Sequence, residues 1–143
     1  MVMTTPVLDD LHRARDRGVA MDLDLDLIAP ARARAMVREL LAPLSEMVVI
    51  DAIQVFDELA ANARRHGLAP RRARVSLRAD RQLLRIEVDD TGPGVPHLRT
   101  PDRTGGRGMI LIDRLATAWA HTRYHGHKTV WAEIAVDRYR HPG

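Results

Sequence analysis

A chain of 143 residues with 45% apolar and 29% charged side chains has the size and make-up of one globular domain with its own core. It has no cysteine, which excludes disulfides and thiolate metal sites, and no uninterrupted run of about 18 apolar residues offers a transmembrane helix. The net charge of +3 comes almost wholly from arginine, Lys128 being the only lysine, and both signs are interspersed with few aromatic side chains, a poor composition for holding nucleic acid.

Residues 1–20 are polar and mixed in charge and read as a flexible or weakly helical leader without an apolar export core, which fits a cytoplasmic protein. Apolar and acidic residues alternate over 21–28, the pattern of a half-buried strand. Pro30 suits the first turn of a helix. That helix is expected over 31–41 with Ala35, Met36 and Leu40 inward, stopped by Pro43. Ser45 is a plausible N-cap for a second helix from about Glu46 to His66, with Gly67 as its left-handed C-cap. Its apolar face would be Val49, Ala52, Ile53, Phe56, Leu59, Ala60 and Ala63.

Strands are expected over 74–78 and 83–89, joined by a turn at 79–82. Residues 90–106 lack periodicity and form a loop long enough to suggest a function. A helix over 108–118 and a hairpin of 119–124 and 128–136 complete the domain, which runs from 21 to 138 with a tail at 139–143. The order β, α, α, β, β, loop, α, β, β predicts an α/β (α+β) two-layer sandwich: a mixed, mainly antiparallel sheet with helices on one face.

Three polar boxes interrupt this pattern. On the long helix Glu58 and Asn62 stand four apart and share one face, and His66 extends the row. An amide oxygen suits magnesium, which prefers a few hard protein ligands and completes its shell with phosphate and water. A carboxylate one turn away can take the proton of an attacking water or hydroxyl, and Arg65 or His66 can lie against phosphate. After the third strand comes Asp90-Thr91-Gly92-Pro93-Gly94: a carboxylate able to accept from an exocyclic amine, with glycines that let a loop wrap a flat ring. Gly105-Gly106-Arg107-Gly108 then opens a helix, a form that suits anions. Each box alone also has an ordinary reading, as a solvated helix face, a capped turn or a glycine-rich helix start. No P-loop and no dinucleotide fingerprint is present.

Together the boxes are more specific. E-x-x-x-N on a helix, D-x-G-x-G after a strand and G-x-G opening a helix resemble the ordered signature of the GHKL, or histidine-kinase-like, ATPases. Over about residues 22–136 the chain looks like their small free-standing branch, the anti-sigma-factor serine/threonine kinases, also through Gly126-His127-Lys128-Thr129-Val130-Trp131. The resemblance implies the Bergerat ATP-binding fold, with Glu58 as general base and Asn62 as magnesium ligand. It implies Asp90 on the adenine amine, with Gly92 and Gly94 shaping that pocket. Gly106 and Gly108 would line the phosphates beside Arg107 and Met109, Thr129 would lie near adenine, and residues 95–104 would form a short nucleotide lid. ATP and magnesium are then the cofactors. The implied partners are a sigma factor and a STAS-type anti-anti-sigma protein, with a homodimer as the implied assembly. A non-catalytic ATP-binding module that switches protein partners is the other reading. His12 reads as a surface histidine; His97, His121, His125, His127 and His141 invite a metal reading, but His125 and His127 flank Gly126 in a turn without an acidic third ligand nearby, which leaves zinc the weaker reading.

Overall fold

A computed structural model describes residues 18–93 and 107–139. The polypeptide forms β1 (Val19–Asp24), α1 (Pro30–Leu40), α2 (Glu46–His66), β2 (Arg72–Leu77), β3 (Leu83–Asp90), α3 (Arg107–Leu115), β4 (Ala118–Arg123), β5 (Lys128–Ala135) and a closing 3-10 turn, Val136–Tyr139. Five strands make one sheet in the order β1-β2-β3-β5-β4. All four pairings are antiparallel, so the sheet carries no parallel pair among the described strands.

Strand alternation decides which face meets the helices. Leu84, Ile86, Val88 and Asp90 of β3 point inward, opposite Ile134, Ala132, Val130 and Lys128 of β5. Against them lie Val37 and Leu41 from the α1 segment, Phe56, Leu59 and Ala63 from α2, and Met109 and Ile112 from α3. Burying a side chain such as Phe56 or Ile86 contributes about 1.5–3 kcal/mol, so this single layer of contacts holds the helices to the sheet. Among the described residues no helix is long and apolar enough to cross a membrane.

Three sequence expectations shift. β1 opens at Val19, inside the stretch read as leader, and stops at Asp24. It stops because the Asp24 carbonyl accepts the N–H groups of Leu27 and Ile28, and its carboxylate accepts that of Asp26, which folds the alternating stretch into a turn and leaves Leu27 exposed. The inward stripe of α1 is Ala33, Met36, Val37 and Leu40, with Ala35 exposed. Gly67 follows α2 as expected, but in an extended conformation (φ −94°, ψ 176°), not a left-handed one.

Candidate functional site

The polar row of α2 meets the first turn of α3. The Glu58 carboxylate lies over the Cα of Gly108, where Oε2 fills the space that a Cβ would take. One turn on, Asn62 Nδ2 donates to Met109 Sδ at 3.3 Å. That contact directs the amide nitrogen at a soft sulfur, and the described residues give Asn62 Oδ1 no hydrogen-bond partner. Met109 is itself buried, so this half of the site is anchored in the core. Asp57, beside Glu58 in sequence, faces the other way: it lies 3.6 Å from Arg34 of α1, and burial pushes its carboxyl up. Arg65 and His66 are exposed in the last turn of α2 and are not brought to this cluster.

At the far end of α2, the chain crosses the end of β3 at close range. A Cβ on Gly67 would overlap Asp90 Cγ and the Ala63 carbonyl oxygen, and one on Gly92 would lie 3.0 Å from Gly67 Cα. Asp90 is 3% exposed, and its Oδ1 accepts the Gly92 N–H at 2.7 Å. The described residues give Oδ2 no hydrogen-bond partner. Thr91 Oγ1 donates to the Ala69 carbonyl at 2.8 Å, and Arg123 from β4 donates to the Pro93 carbonyl at 2.8 Å, so the segment after Asp90 is tied down on both sides. Arg71 fastens the helix end: Nε donates to the Ala63 carbonyl, which also accepts the Gly67 N–H, and Nη2 donates to the Gly67 carbonyl just beyond the helix. The Asp26 carboxylate grips the same guanidinium at 2.8 Å.

Thr129 is not brought to this end. In register with Asp89, it lies on the helix-free face of the sheet and donates to Asp89 Oδ1 at 2.5 Å. The inward position belongs to Lys128, paired with Asp90, and Lys128 Nζ lies 3.6 Å from Asp90 Oδ1. Sequence reasoning passed over Lys128, although the alternation of Val130, Ala132 and Ile134 carried the signal: if those point inward, so does residue 128. Gly94, Gly106, the 95–104 segment, His12, His97 and His141 lie outside the described residues, and of Arg107 only the backbone at the start of α3 is described.

Eight helical residues lie between Glu58 and Gly67, which sets the two about 13 Å apart along the axis. The cluster at the helix end offers a carboxylate oxygen beside glycine backbone; the other offers a carboxylate and an amide oxygen at the start of α3. The donor set fits a nucleotide with magnesium: an acceptor for a base amine, a helix N-terminus for anions, and a single hard oxygen for a cation that keeps phosphate and water in most of its shell. Among the described residues no three His, Asp or Glu side chains cluster as a protein-only metal site. In the β4–β5 turn His127 stacks on Tyr124 at 4.8 Å.

The sequence matches the family described as histidine kinase-like ATPase domain over residues 23–134. No curated protein sequence matches it. The fold is similar to that of the RsbU and RsbW domains of Rv1364c from Mycobacterium tuberculosis (TM-score 0.61, 20% identity, covering 82% of this chain and 32% of that one). It is also similar to the blue-light activated histidine kinase of Erythrobacter litoralis EL346 (TM-score 0.55, 18% identity, 76% of this chain and 41% of that one). The histidine kinase domain of the same protein gives a TM-score of 0.51 at 17% identity, over 76% of this chain and 60% of that one. The chain thus spans only part of each of these solved chains.

Proposed function

The chain belongs to the histidine kinase-like ATPase domain family, and from that premise we propose that it binds ATP with magnesium and works as an anti-sigma factor that phosphorylates a STAS-type anti-anti-sigma protein on serine or threonine. The observation that carries the reading is that the candidate residues gather in two clusters along α2: Asp90, with a carboxylate oxygen that no described residue engages, between Gly67 and Gly92, and Glu58 with Asn62 against Gly108 and Met109. The resemblance of the ordered boxes to the free-standing anti-sigma kinases supports the choice of substrate class and partners.

In this reading Asp90 Oδ2 accepts from the base amine, and Asn62 Oδ1 is the protein ligand for magnesium. ATP supplies the transferable phosphoryl group when bound. The Glu58 carboxylate takes the proton of the attacking serine or threonine hydroxyl, and its seat over Gly108 sets it beside the positive end of α3.

The test has two arms. Calorimetric titration of ATP, with and without magnesium, is run on the wild type and on Asn62→Ala; phosphate transfer from radiolabelled ATP to a STAS-domain protein is run on the wild type and on Glu58→Gln. Magnesium-dependent binding lost in the first variant, with transfer lost in the second, supports the proposal. Binding without transfer favours the partner-switching module. No binding at millimolar ATP rejects both.

A further inference from the structure

Lys128 is the only lysine in a chain whose other basic residues are arginines. Among the described residues, it and Asp90 are the two charged side chains buried from solvent, at 4% and 3% exposure. They are direct cross-strand partners on the inward face of β5 and β3, with Nζ 3.6 Å from Oδ1. Cross-strand neighbours on one face hold their side chains close, on two strands whose backbones are fixed by the ladder.

We propose that Lys128 is the positioning residue of base recognition: its ammonium holds the Asp90 carboxylate by Oδ1, leaves Oδ2 aimed at the exocyclic amine of the nucleobase, and so makes the pocket selective for a base that carries an amine at that edge. The inference rests on the nucleotide reading of the site. Two features of this chain carry it. First, both contacts fall on one oxygen: the Gly92 N–H reaches Oδ1 at 2.7 Å and Lys128 approaches the same atom. A carboxylate gripped by one oxygen keeps a fixed rotamer and a free acceptor. Second, the choice of lysine has a chemical reason. A guanidinium presents a flat fork that takes both oxygens of a carboxylate at once, whereas an ammonium is a compact point charge. An arginine opposite Asp90 would occupy the acceptor that the base needs. A neutral residue would leave Asp90 as an uncompensated buried charge, free to turn toward water.

The probes are ATP and purine riboside triphosphate, which lacks the exocyclic amine, each titrated calorimetrically with magnesium into the wild type, Lys128→Met and Lys128→Arg. The arginine variant keeps the positive charge opposite Asp90, so it guards against a methionine variant that fails to fold; circular dichroism checks both. Wild type should prefer ATP by about tenfold or more, the worth of a hydrogen bond to a charged acceptor. In both variants the preference should fall to about threefold or less, while affinity for the amine-free analogue stays within about threefold of wild type. A folded variant that keeps the wild-type preference overturns the proposal and leaves the nucleotide site standing. A wild type that binds both triphosphates equally does the same. A wild type that binds neither overturns the nucleotide reading, and this inference with it.

Discussion

The carboxylate of Glu58 occupies the space that a side chain at position 108 would fill. Helix α2 therefore presents its acid to α3 only because residue 108 is glycine. The obstacle to a larger residue is the far end of a flexible side chain, which can swing away without moving backbone. Gly108→Ala should accordingly leave the fold nearly intact, within about 1 kcal/mol, since alanine is also the better helix former. The displaced acid should lower ATP-dependent phosphoryl transfer by about 100-fold, the usual worth of a general base. Thermal unfolding and single-turnover transfer measure the two effects; an unchanged transfer rate would show that Glu58 does no proton chemistry.

Gly67 makes the opposite prediction. Its φ of −94° suits any residue, so substitution there costs space rather than backbone strain. A Cβ would meet the Ala63 carbonyl oxygen at 2.6 Å and Asp90 Oδ1 at 2.7 Å. Because one obstacle is backbone and the other a buried carboxylate, neither yields cheaply. Gly67→Ala should destabilise by about 1–3 kcal/mol, the usual cost of overpacking, and should weaken ATP binding more than tenfold by shifting Asp90. Urea unfolding and calorimetry report the pair; loss of stability with unaltered ATP affinity would separate Asp90 from the base.

These two glycines mark where the sequence was legible and where it stopped. The bounds of α2 follow from the serine at its N-cap position, although that side chain makes no capping hydrogen bond, from its 3.6-residue apolar stripe and from the glycine after it, all local signals. The strands around Val75 and Ile86 follow from alternation in the same way. Alternation with Val130, Ala132 and Ile134 also decides that Lys128 faces inward and Thr129 outward. What it leaves open is the partner: only the register between β3 and β5, strands distant in sequence, sets Lys128 opposite Asp90. The role of Gly67 depends on Asp90, brought against it only when β3 docks beneath α2. Ala35 lies outside the buried stripe because alanine fits either side of a helix, and the packing of α1 on the sheet selects Ala33 and Val37.

Asp26 and Arg71 tie the turn after β1 to the end of α2, and this tie should respond to acid. The backbone N–H of Arg71 and then its guanidinium hold the Asp26 carboxyl below its ordinary value. A carboxylate whose folded value is depressed stabilises the fold while it is charged. Its contribution is complete above the ordinary aspartate value of about 3.9 and is lost as the pH falls below that. Asp26→Asn should be less stable than wild type at neutral pH, and the gap should close in acid. Denaturant unfolding from about pH 6 down to about pH 2, a range that spans the titration, measures it; a gap independent of pH would mean the carboxylate charge plays no part.

Tyr139 sets the alkaline limit. The closing turn lays its ring on α2, where the hydroxyl donates to Asp51 Oδ2 at 2.5 Å. Burial first, and then the Asp51 carboxylate, push the phenol from 10.0 up to about 12. A group whose folded value is raised stabilises the fold while it keeps its proton. The contribution is complete below pH 10 and drains away as the pH climbs from 10 toward about 12. Phenolate absorbance of the wild type should show a late-ionising tyrosine, absent in Tyr139→Phe and moved toward the ordinary value in Asp51→Asn. Over the same interval wild type should lose stability more steeply than Tyr139→Phe. Parallel alkaline unfolding curves for the two would mean that the closing turn is held by its apolar ring alone.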